Sequence, residues 1–153
     1  MLITLPLPGT LAQGATYPPP PILPPPGHPR LFLRPADLPE MKRRTGDPYF
    51  AKAWKRTLDQ SAVAFDGVLS AGPTNYDGRI HDVAEACALR YLIEGEGVMG
   101  KKALTIIRTA LPVVTYPDKQ DITREKCAPI LTAGIVYDWC FPLLNDEDKA
   151  LVI

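Results

Sequence analysis

DITREKCAPILTAGIVYDWCFPLL, Asp121 to Leu144, is the stretch on which the fold turns. From Cys127 to Phe141 only Asp138 carries a charge, and apolar or small residues fall on every side of a helical wheel. A helix that is apolar all round is buried all round. It is not a membrane span, because roughly 20 unbroken apolar residues are needed and Pro129 and Asp138 interrupt this run. The expectation is therefore an inner helix, kinked at Pro129 or starting late there, with one-faced helices around it.

Those one-faced helices lie upstream. Pro35 in a first helical position, Asp37 in the first turn and Gly46 after the end predict a short helix. Its basic run, Lys42, Arg43 and Arg44, suits the negative end of the helix dipole. Asp47-Pro48 then reads as a cap opening an amphipathic helix. Phe50, Trp54, Thr57, Leu58, Ser61, Phe65 and Val68 recur at spacings of three and four, opposite Lys52, Lys55, Arg56 and Asp59. After a loop punctuated by Gly-Pro and Asp-Gly, a helix from Arg79 carries Ile80, Val83, Ala84, Cys87 and Tyr91 on one face. It ends at E-G-E-G. The next runs from about Val98 to Leu111, and so short a turn between them makes an antiparallel hairpin. Downstream, Asn145 caps a final helix whose first turn holds Asp146, Glu147 and Asp148. Only Leu31 to Leu33, within the extended piece His28 to Leu33, reads as strand-like. The class is all-α.

The N-terminal region is different in kind. Met1 to Ala15 is uncharged, apolar at first, and ends in small residues, which predicts a truncated secretory signal and with it a secreted or periplasmic location. A plain apolar tail is the alternative, since no basic region precedes it. Residues 16–29 are dominated by proline and predict an extended polyproline linker or arm, with an SH3-type ligand as the less plain reading. Residues 30–153 are then one domain. They close on Leu151-Val152-Ile153 only two turns into a helix, so the expectation is an N-terminal piece of something longer, marginal in isolation because apolar faces lack partners.

Net charge is zero, with 17 basic and 17 acidic residues. That gives no nucleic-acid footprint and no patch for anionic membranes. Three cysteines, Cys87, Cys127 and Cys140, lack metal spacing and read as buried free thiols. Of the two histidines, His81 beside Asp82 is a conceivable base but more simply a solvent-facing or capping residue. No H-E-x-x-H, G-x-S-x-G or phosphate-binding glycine loop occurs, so no catalytic residue, metal or cofactor is assigned.

Three stretches together resemble one family. His28 to Arg44, HPRLFLRPADLPEMKRR, resembles the opening of heparinase II/III-like polysaccharide lyases; Asp82 to Gly97, DVAEACALRYLIEGEG, is similar to their small-residue helix; and Ala133 to Lys149, AGIVYDWCFPLLNDEDK, is similar to their Y-D-W helix and the acidic cap after it. The resemblance implies that residues 30–153 form part of an (α/α) toroid, followed in the full protein by a β-rich domain. It also implies cleavage of acidic, uronate-containing polysaccharide by β-elimination, with the Asn/His and Tyr machinery downstream of Ile153. Sugar contacts are expected from Asn75, Tyr76 and Asp77, on a loop held by a rigid scaffold, and from Tyr137, Asp138 and Trp139. The plainer reading of the latter group is that Trp139 fills the core and Asp138 satisfies nearby backbone. Two other functions compete: a helical scaffold that binds protein partners, though no fixed repeat is present, and an (α/α)-barrel glycoside hydrolase, for which no acid pair is identified.

Overall fold

The computed structural model describes residues 25–65, 74–75, 77–116 and 122–152. The expected signal segment, most of the proline linker and Tyr76 lie outside the described residues. Six α-helices make up the described chain: α1 Leu38–Thr45, α2 Ala51–Ala62, α3 Gly78–Glu94, α4 Gly97–Ala110, α5 Ile122–Trp139 and α6 Asp146–Val152. Three-residue 3-10 turns precede α1 (Pro35–Asp37) and follow α5 (Phe141–Leu143). Two-residue strands, β1 Thr74–Asn75 and β2 Val114–Thr115, pair in parallel. The all-α class holds.

The helix ends follow local chemistry. Asp77 caps α3 by accepting from the Arg79 amide, and Gly95, at φ 77°, takes the left-handed conformation that ends it. With the Gly95 amide bonded to Tyr91 O at 2.8 Å, the chain reverses directly into α4. Asn145 and Asp148 form a reciprocal cap on α6, the Asp148 amide donating to Asn145 Oδ1 at 2.8 Å and the Asn145 amide to Asp148 Oδ2 at 3.0 Å.

The centre of the molecule is α3, not α5. α3 buries Ile80, Val83, Ala84, Ala86, Cys87, Ala88 and Ile93, and α2, α4 and α5 all pack on it. Its A-E-A-C-A run explains this, because small side chains let three neighbours approach one backbone. The Glu85 carboxylate accepts from the buried Thr132 hydroxyl at 2.5 Å, tying α3 to α5. The expectation that α5 is buried all round is corrected. It buries Thr132, Ala133, Ile135, Val136 and Asp138, yet leaves Cys127 exposed, with Ile130 at 73% and Leu131 at 51%. A wheel reports where apolar side chains lie, not whether a partner covers them.

Two boundaries also differ from expectation. α2 ends at Ala62 although its apolar periodicity continues to Phe65 and Val68. Lys102 Nζ donates to the carbonyls of Ser61 at 2.7 Å and Val63 at 2.5 Å, so a cation from α4 takes up the carbonyls at the end of the helix. Leu31 to Leu33 is not a strand. The Leu33 amide bonds back to Leu31 O at 2.7 Å and Phe32 sits at φ 61°, a γ-turn of the positive-φ kind.

Candidate functional site

The last turn of α5 holds a dense long-range polar cluster. Asp138 is 3% exposed. Its Oδ1 lies 2.5 Å from His28 Nδ1, and its Oδ2 accepts from the amides of Arg30 at 2.6 Å and Leu31 at 2.7 Å. A carboxylate can only accept, so His28 carries its proton on Nδ1. The next residue on the helix, Trp139, donates Nε1 to Leu31 O at 3.0 Å. The His28 ring lies flat on Phe141, centroids 3.8 Å apart, with Tyr137 edge-on at 6.3 Å. Tyr137 and Phe141, one turn apart, thus wall in the imidazole that Asp138 holds.

The cluster is a clamp on the arm formed by residues 28–31. A buried aspartate holding a histidine through Nδ1 is also the orienting half of a hydrolytic triad. Here the same carboxylate satisfies two backbone amides, and among the described residues no hydroxyl or thiol is hydrogen-bonded to His28. Asp138 therefore does what the plainer sequence reading gave it, satisfying backbone, while Trp139 packs partly against the core and spends its N–H on the arm. Tyr137 is half-buried. The sequence singled out one half of this cluster; the other half, His28, Arg30 and Leu31, it treated as an extended piece. The available signal was that H-P-R-L and Y-D-W belong to the same resemblance.

The second set of sugar-contact candidates stands elsewhere. The Asn75 backbone is in β1, opposite Thr115. Asp77 binds the Arg79 guanidinium, with Nη2 at 2.6 Å, and that guanidinium together with the Arg79 amide holds its carboxyl below the usual range. His81 is half-buried in α3 and lines a small cavity with Pro129 and Thr132. It is not the cap, since Asp77 is, and desolvation pushes its imidazole toward the neutral form. The start of α3 meets α5 near Pro129 and Thr132, about two turns before Asp138 on that helix.

An open apolar groove runs beside the exposed face of α5, lined by Leu111, Val114, Tyr116, Ile130 and Leu151 with Lys126 at its edge. No described helix is long and apolar enough to cross a membrane. Among the described residues no group of three or more His, Cys, Asp or Glu is placed to hold a metal ion.

Fold and site together define an all-α chain, built around a helical hairpin, whose N-terminal arm is clamped by a buried carboxylate. Compared with known proteins, the chain matches no family model and no curated protein.

Proposed function

We propose that this chain is the N-terminal part of a secreted or periplasmic polysaccharide lyase, its helices forming part of an (α/α) toroid and its catalytic residues and β-rich domain lying downstream. The observation that carries the reading is the clamp. Two of the three stretches that carry the resemblance, those containing H-P-R-L and Y-D-W, are 107 to 110 residues apart and bind one another through Asp138. That two of those stretches form one contact supports reading them as parts of one structural unit.

In the reaction, a base removes the C5 proton of a uronate, the C4–O bond breaks, the leaving oxygen is protonated, and a C4=C5 double bond remains. The part of this chain would be to bind the polymer. Asn75, Tyr76, Asp77 and Tyr137 are the candidates for direct contact, and Asp138 and Trp139 serve by fixing the arm. The test is the full-length protein incubated separately with alginate, heparin, heparan sulfate, hyaluronan and chondroitin. The expected result is a rise in the ultraviolet absorbance of an unsaturated uronate on at least one polymer. New reducing ends without that absorbance would make the enzyme a glycoside hydrolase.

A second reading, a scaffold that binds protein partners, draws on the exposed Ile130 and Leu131 beside the apolar groove. Absence of both absorbance and reducing ends on every polymer would favour it.

A further inference from the structure

The zero net charge of the chain is unevenly laid out. Residues 30–60 hold eight of the 17 basic residues and four of the 17 acidic ones, whereas residues 61–153 hold nine and thirteen. The basic excess falls on α1 and α2, where Lys42, Arg43, Arg44, Lys52, Lys55 and Arg56 are all exposed. Arg43 and Arg44 share the single carboxylate of Glu40, their Nε atoms donating at 2.7 and 2.8 Å, so this trio keeps one uncompensated positive charge. The Arg44 guanidinium also lies over the Phe50 ring, 5.6 Å from its centroid. It edges an open groove between α1, α2 and α3, lined by Met41, Phe50, Ala53, Trp54 and Leu89. α1 buries no residue and α2 only Ser61, so these side chains are half-covered walls of a recess, not core. The recess, about 190 Å³, falls below the range of small-molecule pockets, which begins at roughly 300 Å³, and suits one aliphatic side chain.

The complementary chemistry stands on α6. Asp146, Glu147, Ala150 and Leu151 are exposed and share one arc of about 140° on the helix, while Asp148 turns inward to Arg108. Glu147 makes no ion pair among the described residues, and Asp146 has only Lys149, at 3.5 Å. Leu151, one turn after Glu147, is 39% exposed. α6 is packed on α4 and α5, and none of the groove residues lies on it. A molecule therefore does not fill its own groove with its own α6.

We infer that the groove of α1 and α2 receives α6 of a second copy of this chain, Leu151 filling the recess and Asp146 and Glu147 meeting the basic helices. Charge complementarity selects this occupant, because the acidic and apolar groups that the groove calls for stand together on one face of α6. A phosphate backbone would answer the cations and leave the apolar recess empty. A membrane surface is met by protruding apolar side chains, whereas here they are recessed. Since two different surfaces meet, the contact is head to tail.

The experiment is sedimentation velocity on the full chain between roughly 10 µM and 1 mM, the range in which a small interface is populated. The average mass should rise with concentration, and raising sodium chloride from about 0.05 to 0.5 M should weaken association about fivefold, since the charges are exposed and screened. Two substitutions at exposed positions separate the two surfaces. Ala53→Glu puts an acid in the groove, and Glu147→Lys reverses the charge on α6; each alone should weaken association about tenfold. Circular dichroism and urea midpoints close to those of the parent show that both variants fold. Mixed in equal amounts, the two variants should associate again, because the intact groove of the Glu147→Lys chain meets the intact α6 of the Ala53→Glu chain. A parent that stays monomeric would give the groove to a different occupant and overturn the assignment. Association undiminished in either variant would place the interface elsewhere, and a mixture that stays monomeric would rule out the head-to-tail contact.

Discussion

The buried carboxylate of Asp138 holds the imidazole of His28 at 2.5 Å across 110 residues of sequence. One side chain at the end of α5 thereby satisfies a ring N–H and two backbone amides of the arm, groups that would otherwise be desolvated without partners. The arm reaches the domain through this contact and the neighbouring indole, and its stability should follow theirs.

Asp138→Ala removes all three acceptor contacts and is expected to cost about 3 kcal/mol. Asp138→Asn should cost only about 1 kcal/mol, because an amide oxygen in the Oδ2 position still receives both backbone amides and the amide NH2 can donate to His28 in its other tautomer. Urea unfolding followed by tryptophan fluorescence, to which Trp139 contributes, measures both. Equal losses for Ala and Asn would show that the charge, not the acceptor geometry, holds the arm.

Acid stability should depend on the cap of α6. The Arg108 guanidinium binds both oxygens of Asp148 and, with the Asn145 amide, lowers the carboxyl's pKa against the opposing effect of burial. A carboxylate with a depressed folded pKa stabilises the protein above its unfolded value, about 3.9, and that contribution is lost as pH falls through the lower folded value. Arg108 is 43% exposed, so solvent screening limits the pair. Arg108→Gln is expected to lose about 1 kcal/mol at pH 7. It should show a shallower fall in stability below pH 4 than the parent, read from urea midpoints across the acid range.

The hairpin, the glycine turn that ends its first helix and the α6 cap were legible in the sequence because each is local, whereas the cap on α3, which falls to Asp77, was not read. Periodicity over Ile80 to Tyr91, Gly95 after the helix and Asn145 before Asp148 act within one or two turns. What was not legible depends on distant partners. The α2 helix reads on through Phe65, but its end is set by Lys102, forty residues away in α4. The small residues of α3 make it the centre, a role that hydrophobicity alone assigned to α5. Tyr137, Asp138 and Trp139 were visible as polar-capable groups on an apolar helix, but their partners on the arm were not, since nothing between residues 31 and 137 encodes the contact.

Gly100 marks the closest packing in the hairpin. A Cβ there would lie 2.5 Å from Leu143 Cδ1 and 2.8 Å from Tyr91 Cγ. Tyr91 packs against the core and cannot simply swing away. Gly100→Ala should therefore destabilise by about 2 kcal/mol despite alanine's better helix propensity. At Gly97, one turn earlier, a Cβ meets nothing within 4 Å. Gly97→Ala is expected to stay within about 0.5 kcal/mol of the parent. Thermal and urea denaturation of the two variants side by side separate packing from propensity.

The three cysteines should react as two classes. Cys87 and Cys140 are buried in the core, whereas Cys127 is exposed on the open face of α5, contrary to the expectation of three buried thiols. Burial raises the pKa of the Cys87 thiol and pushes that of Cys140 up to about 12. The thiolate is the reactive species, so at pH 8 a group titrating near 12 is reactive in only about one molecule in ten thousand, before access is considered. Native protein treated with an aromatic disulfide reagent is expected to release one equivalent of thiolate rapidly. The remaining two should appear only with global unfolding, at a rate that rises with denaturant. Cys127→Ser should abolish the fast phase and leave the slow one unchanged. Rapid reaction of Cys87 would mean instead that α2 lifts away from α3, since the Cys87 thiol lies against Ser61 O at 3.6 Å and that helix is its cover.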